Sequence, residues 1–307
     1  MRAFSGIFAL LPGCELDFSI CHVMLPEPDS FIGTTQQEGE KMSIVSKLSF
    51  GILAAVSVGM MSAQEVVNLS KPEDFFPSKK IVKAEDALSI KGVRSMFSAK
   101  SFSLDPAKKY QLSGEFCQKA GKPVTVFFGF APFDAKNRPV TAAMVNVVKD
   151  TLTEVAADAK KGDKVIKVKD ASKWNTKGKY SSIAFNAKKD FSDLPNADQL
   201  STAVPNAKKN GEVWEILLRK PLAKNIAAGT LVRQHSDGSS YIYAAGVAKL
   251  SDKWITRKGV ISGIAPVGNV SNKMWKGTAK VRVVVLMLSG DADSDVSFRN
   301  IKVTEVK

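Results

Sequence analysis

Cysteine, histidine, long apolar runs and helical periodicity are all scarce in this chain of 307 residues. Two of the three cysteines, Cys14 and Cys21, lie near the start, and only Cys117 follows. A single later cysteine makes no intrachain disulfide, so a disulfide scaffold is excluded there. The two histidines are His22 and His235, which leaves no His/Cys spacing for zinc. No phosphate loop and no nucleophile elbow occurs. The apolar run Leu48–Met60 falls short of the roughly 20 residues of a membrane-spanning helix. Long helical patterns are missing; "NADQLSTAV", from Asn196 to Val204, suggests a turn or two at most. Acidic residues are outnumbered by basic ones, 30 to 44.

What is there begins with a secretory signature. Met42 to Ala63 has a positive start at Lys47, the apolar run Leu48–Met60, and a small residue, Ala63, where a signal peptidase cuts. Upstream, Glu38-Gly39-Glu40-Lys41-Met42 can be encoded by a string holding GGAG just before an ATG, as a bacterial ribosome-binding site would. Residues 1–41 are therefore expected to be translated leader, 42–63 a signal peptide, and Gln64 the first residue of a secreted, periplasmic or cell-surface protein. Three basic and six acidic residues leave with the first 63, so the net charge rises from +14 to +17 on 244 residues. Such charge attracts polyanions and says nothing about fold. Outside the cytoplasm those are acidic glycans, cell-wall polymers and lipid headgroups rather than nucleic acid. No integral membrane span is expected after cleavage.

Short β-type segments fill the remaining chain: "ALSIKGV", "YQLSGEFC", "VTVFFGF", "VIKVKD", "YSSIAFN", "VWEILL", "KVRVVVLML" and "FRNIKVTEV". Val124, Val126, Phe128 and Phe130 fall on one face at period two. Gly, Asp, Asn and Pro punctuate the gaps, as in "KAGKP", "SDGSS" and "GDADSD". The class expected is all-β, a sandwich or barrel.

Two resemblances refine this. Ala87–Val140 and Trp254–Val306, with "YQLSGEF" and the turn Gly277-Thr278 before Val281-Arg282, resemble a carbohydrate-binding-module or galactose-binding-like jelly roll. Between them, Ala157–Arg233 resembles small β-clip-like modules of phage-tail and bacterial surface proteins: a Gly162-Asp163 turn leads a strand, and "RKPLAKNIAAGTLVR" follows another. The segment departs from that pattern in the long polar stretch Ala187–Asn210. Together they imply a jelly-roll β-sandwich (64–150 and 244–307) interrupted by a small β-rich module at 151–243.

Candidate chemistry is thin. Arg233, His235, Asp237, Tyr241 and Tyr243 cluster around a Ser236–Ser239 turn, and a hairpin would put 233, 235, 241 and 243 on one face. Arg, His and Tyr together could serve a polysaccharide lyase: the cation neutralises a uronate, and Tyr or His removes the C5 proton. Glu215 and Asp237 are the only carboxylates suggested as a hydrolase pair, and no spacing demands it. "DADSDVSFRNIK" imitates the start of a calcium loop but has Val296 and Lys302 where an EF-hand needs Gly and Glu. A structural calcium is thus the one cofactor left open. Trp254, Trp275, Tyr241 and Tyr243 are candidates for sugar stacking, with Arg233 and His235 beside them, whereas Trp174 and Trp214 read as core. The expected function is non-catalytic glycan binding at or beyond the cell surface, with a polysaccharide partner, acidic in one version. The alternatives are a lyase on an acidic polysaccharide and a structural envelope or matrix protein that binds other proteins.

Overall fold

The computed structural model describes residues 64–176 and 180–307. The leader and signal expected at 1–63 lie outside the described residues. In chain order the strands begin with β1 (Gln64–Leu69), β2 (Phe75–Phe76), β3 (Ile81–Ala84), β4 (Ala87–Lys91), β5 (Ser95–Ser98), β6 (Lys109–Ala120) and β7 (Thr125–Phe133). One helical turn, α1 (Ala142–Val145), leads to β8 (Thr153–Glu154), β9 (Val165–Val168), β10 (Ser181–Phe185), β11 (Gln199–Asn210), β12 (Val213–Leu218) and β13 (Leu231–Ser236). The chain ends with β14 (Val247–Lys249), β15 (Ile255–Ser262), β16 (Ile264–Ala265), β17 (Met274–Trp275), β18 (Lys280–Leu288) and β19 (Asp295–Val306).

The protein is all-β. One sheet runs β15-β6-β19-β4-β3, with β1 also on β19; a second runs β14-β7-β18-β5-β2. Consecutive strands alternate between them: β4 then β5, β6 then β7, β14 then β15, β18 then β19. That repeated crossing makes the pair a sandwich of jelly-roll kind. Strand alternation explains the core. Val124, Val126, Phe128 and Phe130 are all buried and face the other sheet. Phe116 on β6 meets Phe128 on β7 edge to face at 5.0 Å, and Phe75 on β2 meets Phe298 on β19 at 5.3 Å. These ring pairs join the two sheets across the core.

A third sheet runs β8-β13-β10-β11-β12-β9, all from the chain between α1 and β14. It has its own apolar cluster, which includes Val155, Ile166, Val168, Trp174, Ile183, Phe185, Ile216 and Val232. Trp174 is buried there and donates its indole N–H to the Thr151 carbonyl at 3.0 Å. Asn196–Val204 is not helical: most of it belongs to β11, paired between β10 and β12. The two available neighbours outweigh the weak helical pattern of a 12-residue strand. The sandwich cluster takes Val140, Ala142 and Val145 on one side and Ile242 on the other. Between these, the outgoing and returning chains bond to each other: Val148 N–H to Gln234 O at 3.0 Å, Ser236 N–H to Asn146 O at 2.9 Å, and Ala142 N–H to Ser239 O at 3.2 Å.

Candidate functional site

The sheet β14-β7-β18-β5-β2 turns one face to the core and the other outward. Directly paired residues share a face. Gly129 pairs with Val284, Val284 with Phe97, and Phe97 with Phe76, so these four form one outward row. Phe127, Leu286 and Ser95 form the next, with Val247 beside Phe127. Most of this face is therefore apolar, and much of it aromatic, although the core lies on the other side.

The chain returning from the third sheet adds two more rings. Ile242 pairs with Phe130 and enters the core, which sends its neighbours Tyr241 and Tyr243 to the outer side. Gly129 makes this approach possible: a Cβ there would stand 1.9 Å from the Ile242 carbonyl oxygen and 2.7 Å from the Tyr243 Cα. The result is a continuous ribbon of rings. Phe97 lies 5.7 Å from Tyr241, Tyr241 is 6.3 Å from Tyr243, and Tyr243 is 5.1 Å from Phe127. Val284, although it faces away from the core, is fully covered. Phe76, at the edge of the row, is 65% exposed. Burial pushes the Tyr241 hydroxyl up from its ordinary value, so it stays protonated at neutral pH. It is a hydrogen-bonding group there and a poor general base.

Arg233 and His235 do not join this face. The expected hairpin does not form, because 231–236 is strand β13 inside the third sheet whereas Ile242 pairs with β7. Both side chains are buried. The Arg233 guanidinium donates to Asp193 Oδ2 at 2.7 Å, to the Lys188 carbonyl at 3.1 Å and, through Nε, to His235 Nε2 at 3.1 Å. It also lies over the Phe191 ring at 5.1 Å. His235 Nδ1 donates to the Ala143 carbonyl at 2.7 Å. Since Nε2 accepts from an arginine, the imidazole is neutral with its proton on Nδ1. Burial is the main cause that drops its pKa to about 4, with the Arg233 charge acting the same way. Burial pushes the Asp193 carboxyl up, but hydrogen bonds from Asn196 and the Lys188 N–H, together with Arg233, outweigh it and hold it below the usual range. This buried trio fastens the third sheet to the segment around α1, and it has no free surface for a sugar. The lyase grouping of Arg233, His235, Tyr241 and Tyr243 is thereby corrected.

The other sequence candidates scatter. Trp275 is 1% exposed and donates its N–H to Val270 O, so it packs the core and offers no ring face. Trp254 is half-buried against the opposite sheet of the sandwich, with the Arg299 guanidinium 4.3 Å and Lys119 Nζ 5.6 Å from its ring. Arg299 is itself held by Glu115 at 2.8 Å and by Asp86. Glu215 sits on β12 and Asp237 beyond β13, with β10 and β11 between. Three strand spacings put them roughly 14 Å apart, too far for a hydrolase pair. In "DADSD", Asp291 Oδ1 accepts from the Ser294 hydroxyl at 2.9 Å and the Asp293 N–H at 3.1 Å, closing a turn between β18 and β19. Among the described residues no group of three His, Cys, Asp or Glu side chains could hold a metal ion.

Phe76, Phe97 and Phe127 were not picked out by sequence reasoning. The signal was present in "VTVFFGF" and "FF": adjacent aromatics on one strand must point to opposite faces, so a sheet carrying them is apolar on both.

No protein-family model matches the chain. No curated protein matches it either. Among solved structures, the CBM22-1–GH10 modules of endo-1,4-β-D-xylanase 10B from Clostridium thermocellum, complexed with xylohexaose, superpose on 80% of this chain with 8% identity and a TM-score of 0.30. The chain spans only 29% of that structure's length. So loose a superposition carries nothing about ligand or activity.

Proposed function

We propose that the chain is a secreted, non-catalytic glycan-binding protein of the jelly-roll kind, and that its sugar face is the ribbon Phe76–Phe97–Tyr241–Tyr243–Phe127. One observation carries the reading: a sandwich sheet presents a continuous aromatic row on the side away from its core. Pyranose rings stack on such rings, and two tyrosine hydroxyls supply polar contacts among them. The five strands of that sheet contain no Asp or Glu, which speaks for binding rather than glycoside hydrolysis at this face. Secretion rests on the signature at Met42–Ala63. The sheet between α1 and β14 then forms an inserted β-clip-like module, expected over 151–243 but ending with β13 at Ser236, because Ile242 already packs in the sandwich core.

The test is isothermal titration of the protein from Gln64 onward against a panel of oligosaccharides, with Phe76→Ala and Tyr241→Ala as variants. Each should weaken binding at least 10-fold while circular dichroism stays unchanged. Binding untouched by either change would move the function to a structural, protein-binding role. Growth of absorbance from unsaturated products would restore a lyase.

A further inference from the structure

The aromatic ribbon has an electrostatic frame. On β2, β5, β7, β14 and β18 there is no carboxylate, but there are three cations: Lys249, Lys280 and Arg282. The opposite sheet has carboxylates at Glu65, Glu115, Asp295 and Glu305; two of its basic residues, Lys91 and Arg299, lie in ion pairs, and Lys108, just before β6, pairs with Glu305. The arrangement around the ribbon differs. Lys249 pairs with Thr125, Arg282 with Ala131, and Lys280 with Phe133. Thr125, Ala131 and Phe133 lie on the same side of β7 as Phe127, so all three cations flank the ribbon's own face. Lys249 is at one end, and Arg282 and Lys280 are at the other. From Thr125 to Ala131 is about 20 Å at strand rise. Arg282 lies over the Phe133 ring at 5.8 Å, and Lys280 Nζ donates to Asn137 Oδ1 at 3.3 Å. None of the three forms an ion pair among the described residues.

We infer that the ligand of this face is an acidic glycan, its carboxylate or sulfate groups meeting Lys249 at one end and Arg282 and Lys280 at the other while its sugar rings lie on the aromatic row between. This rests on the glycan-binding reading above and adds the ligand's charge. A neutral chain would leave two separated cationic ends without counter-charge. A purely ionic partner would leave the ring row unused. The strands of this face add no carboxylate of their own, and Asp134, next along the chain from Phe133, is already paired with Arg138, so the like-charge penalty on an anionic chain is small. Guanidinium suits the task because its planar fork matches a carboxylate or sulfate with two parallel hydrogen bonds.

The experiment is titration of the same protein with hexagalacturonate, a heparin hexasaccharide and xylohexaose, each at low and physiological salt. The variants are Arg282→Gln with Lys249→Gln, and separately Phe76→Ala. The double charge change should weaken the acidic ligand that fits by at least 10-fold and leave the neutral one within 2-fold. Phe76→Ala should weaken both. Comparing the carboxylated with the sulfated probe assigns the anion. Xylohexaose binding as tight as either acidic ligand, or acidic binding unmoved by the double charge change, would overturn the inference and leave the glycan face standing. Loss of all binding at physiological salt with no effect of Phe76→Ala would overturn both. Melting temperatures of the variants, which change only outward side chains, guard against misreading a folding defect.

Discussion

The sandwich and the third sheet are both antiparallel β-structure, yet they are held together differently. The apolar cluster of the sandwich has more than twice as many members, and five phenylalanines, three methionines, Tyr110 and Trp275 stand among its nine valines. The smaller cluster leans on Val, Ala and Ile, with Trp174 and Phe185 its only aromatic members. Buried polar residues show the opposite bias. Among the described residues, nine of the fourteen lie in 151–243, including Ser181, Thr202, Asn206, Arg233, Gln234 and His235. They bond to one another: Ser181 to Thr202 at 2.5 Å, Asn206 to Ser181 at 2.7 Å, and the Gln234 N–H to Thr151 Oγ1 at 3.3 Å. Apolar packing is non-directional and tolerates repacking, whereas a buried polar network must be satisfied everywhere. A sheet with a small core thus depends on exact partners, and the sandwich depends on volume.

The strongest way to break this contrast is Asp193→Ala. It leaves Arg233 buried without its counter-charge, which costs about 3–5 kcal/mol. Replacing both partners, as Arg233→Met with Asp193→Leu, should recover most of that. The sandwich counterpart, Phe128→Ala, should cost a similar 3–5 kcal/mol through a cavity, with no polar double change to rescue it. Urea unfolding of the variants checks both. Rescue failing at Arg233/Asp193 would mean that packing, rather than charge pairing, dominates the third sheet as well.

Acid should separate the regions next. The His235 imidazole titrates at about 4 in the fold, against roughly 6.5 in an unfolded chain. Between those values the unfolded state binds the extra proton, so stability is full above about pH 6.5 and falls by about 3 kcal/mol as pH drops toward 4. Arg233 and Asp193 are the charged groups facing it. His235→Gln, which can still accept from Arg233 and donate to Ala143 O, should flatten that slope in urea midpoints measured across the window. A slope unchanged in the variant would assign the acid sensitivity to another group.

Gly129→Ala sharpens the link between the regions. The new Cβ collides with the Ile242 carbonyl, so the segment carrying Tyr241 and Tyr243 must shift at a cost of about 1–3 kcal/mol. Binding should suffer more than stability, and near-ultraviolet circular dichroism should report the displaced tyrosines. The smallest effect is expected from replacing 151–236 with a short Gly/Ser linker. The junction bonds to Gln234 and Ser236 leave with the segment, but Ala142 still bonds to Ser239 and keeps the ends close, so closure itself should change the sandwich's stability by about 1 kcal/mol or less. Loss of cooperative unfolding in that variant would show that the two regions share one folding unit.

The sandwich was the more legible region in the sequence. Period-two alternation at Val124–Phe130 and the turn at Gly277-Thr278 depend only on neighbours along the chain, and both stand in the structure. The strand β11 departs from its local helical pattern because its partners, β10 and β12, override it. Tyr241 and Tyr243 are visible in the sequence as candidate stacking residues, but their companions are Phe97 and Phe127, from strands far away in sequence. Arg233 and His235 looked like catalytic groups because charge and imidazole carry the same letters whether exposed or buried. Their burial follows from Asp193 and Ala143, which no spacing pattern points to.

The bonded segments at the junction have a mechanical consequence. Val148 with Gln234, Asn146 with Ser236 and Ala142 with Ser239 bind the outgoing chain to the returning one. Tension applied across the sandwich passes through these cross-links. The third sheet beyond the end of β13 hangs outside the load path like a shunted branch of a circuit, and it stays slack until the cross-links tear.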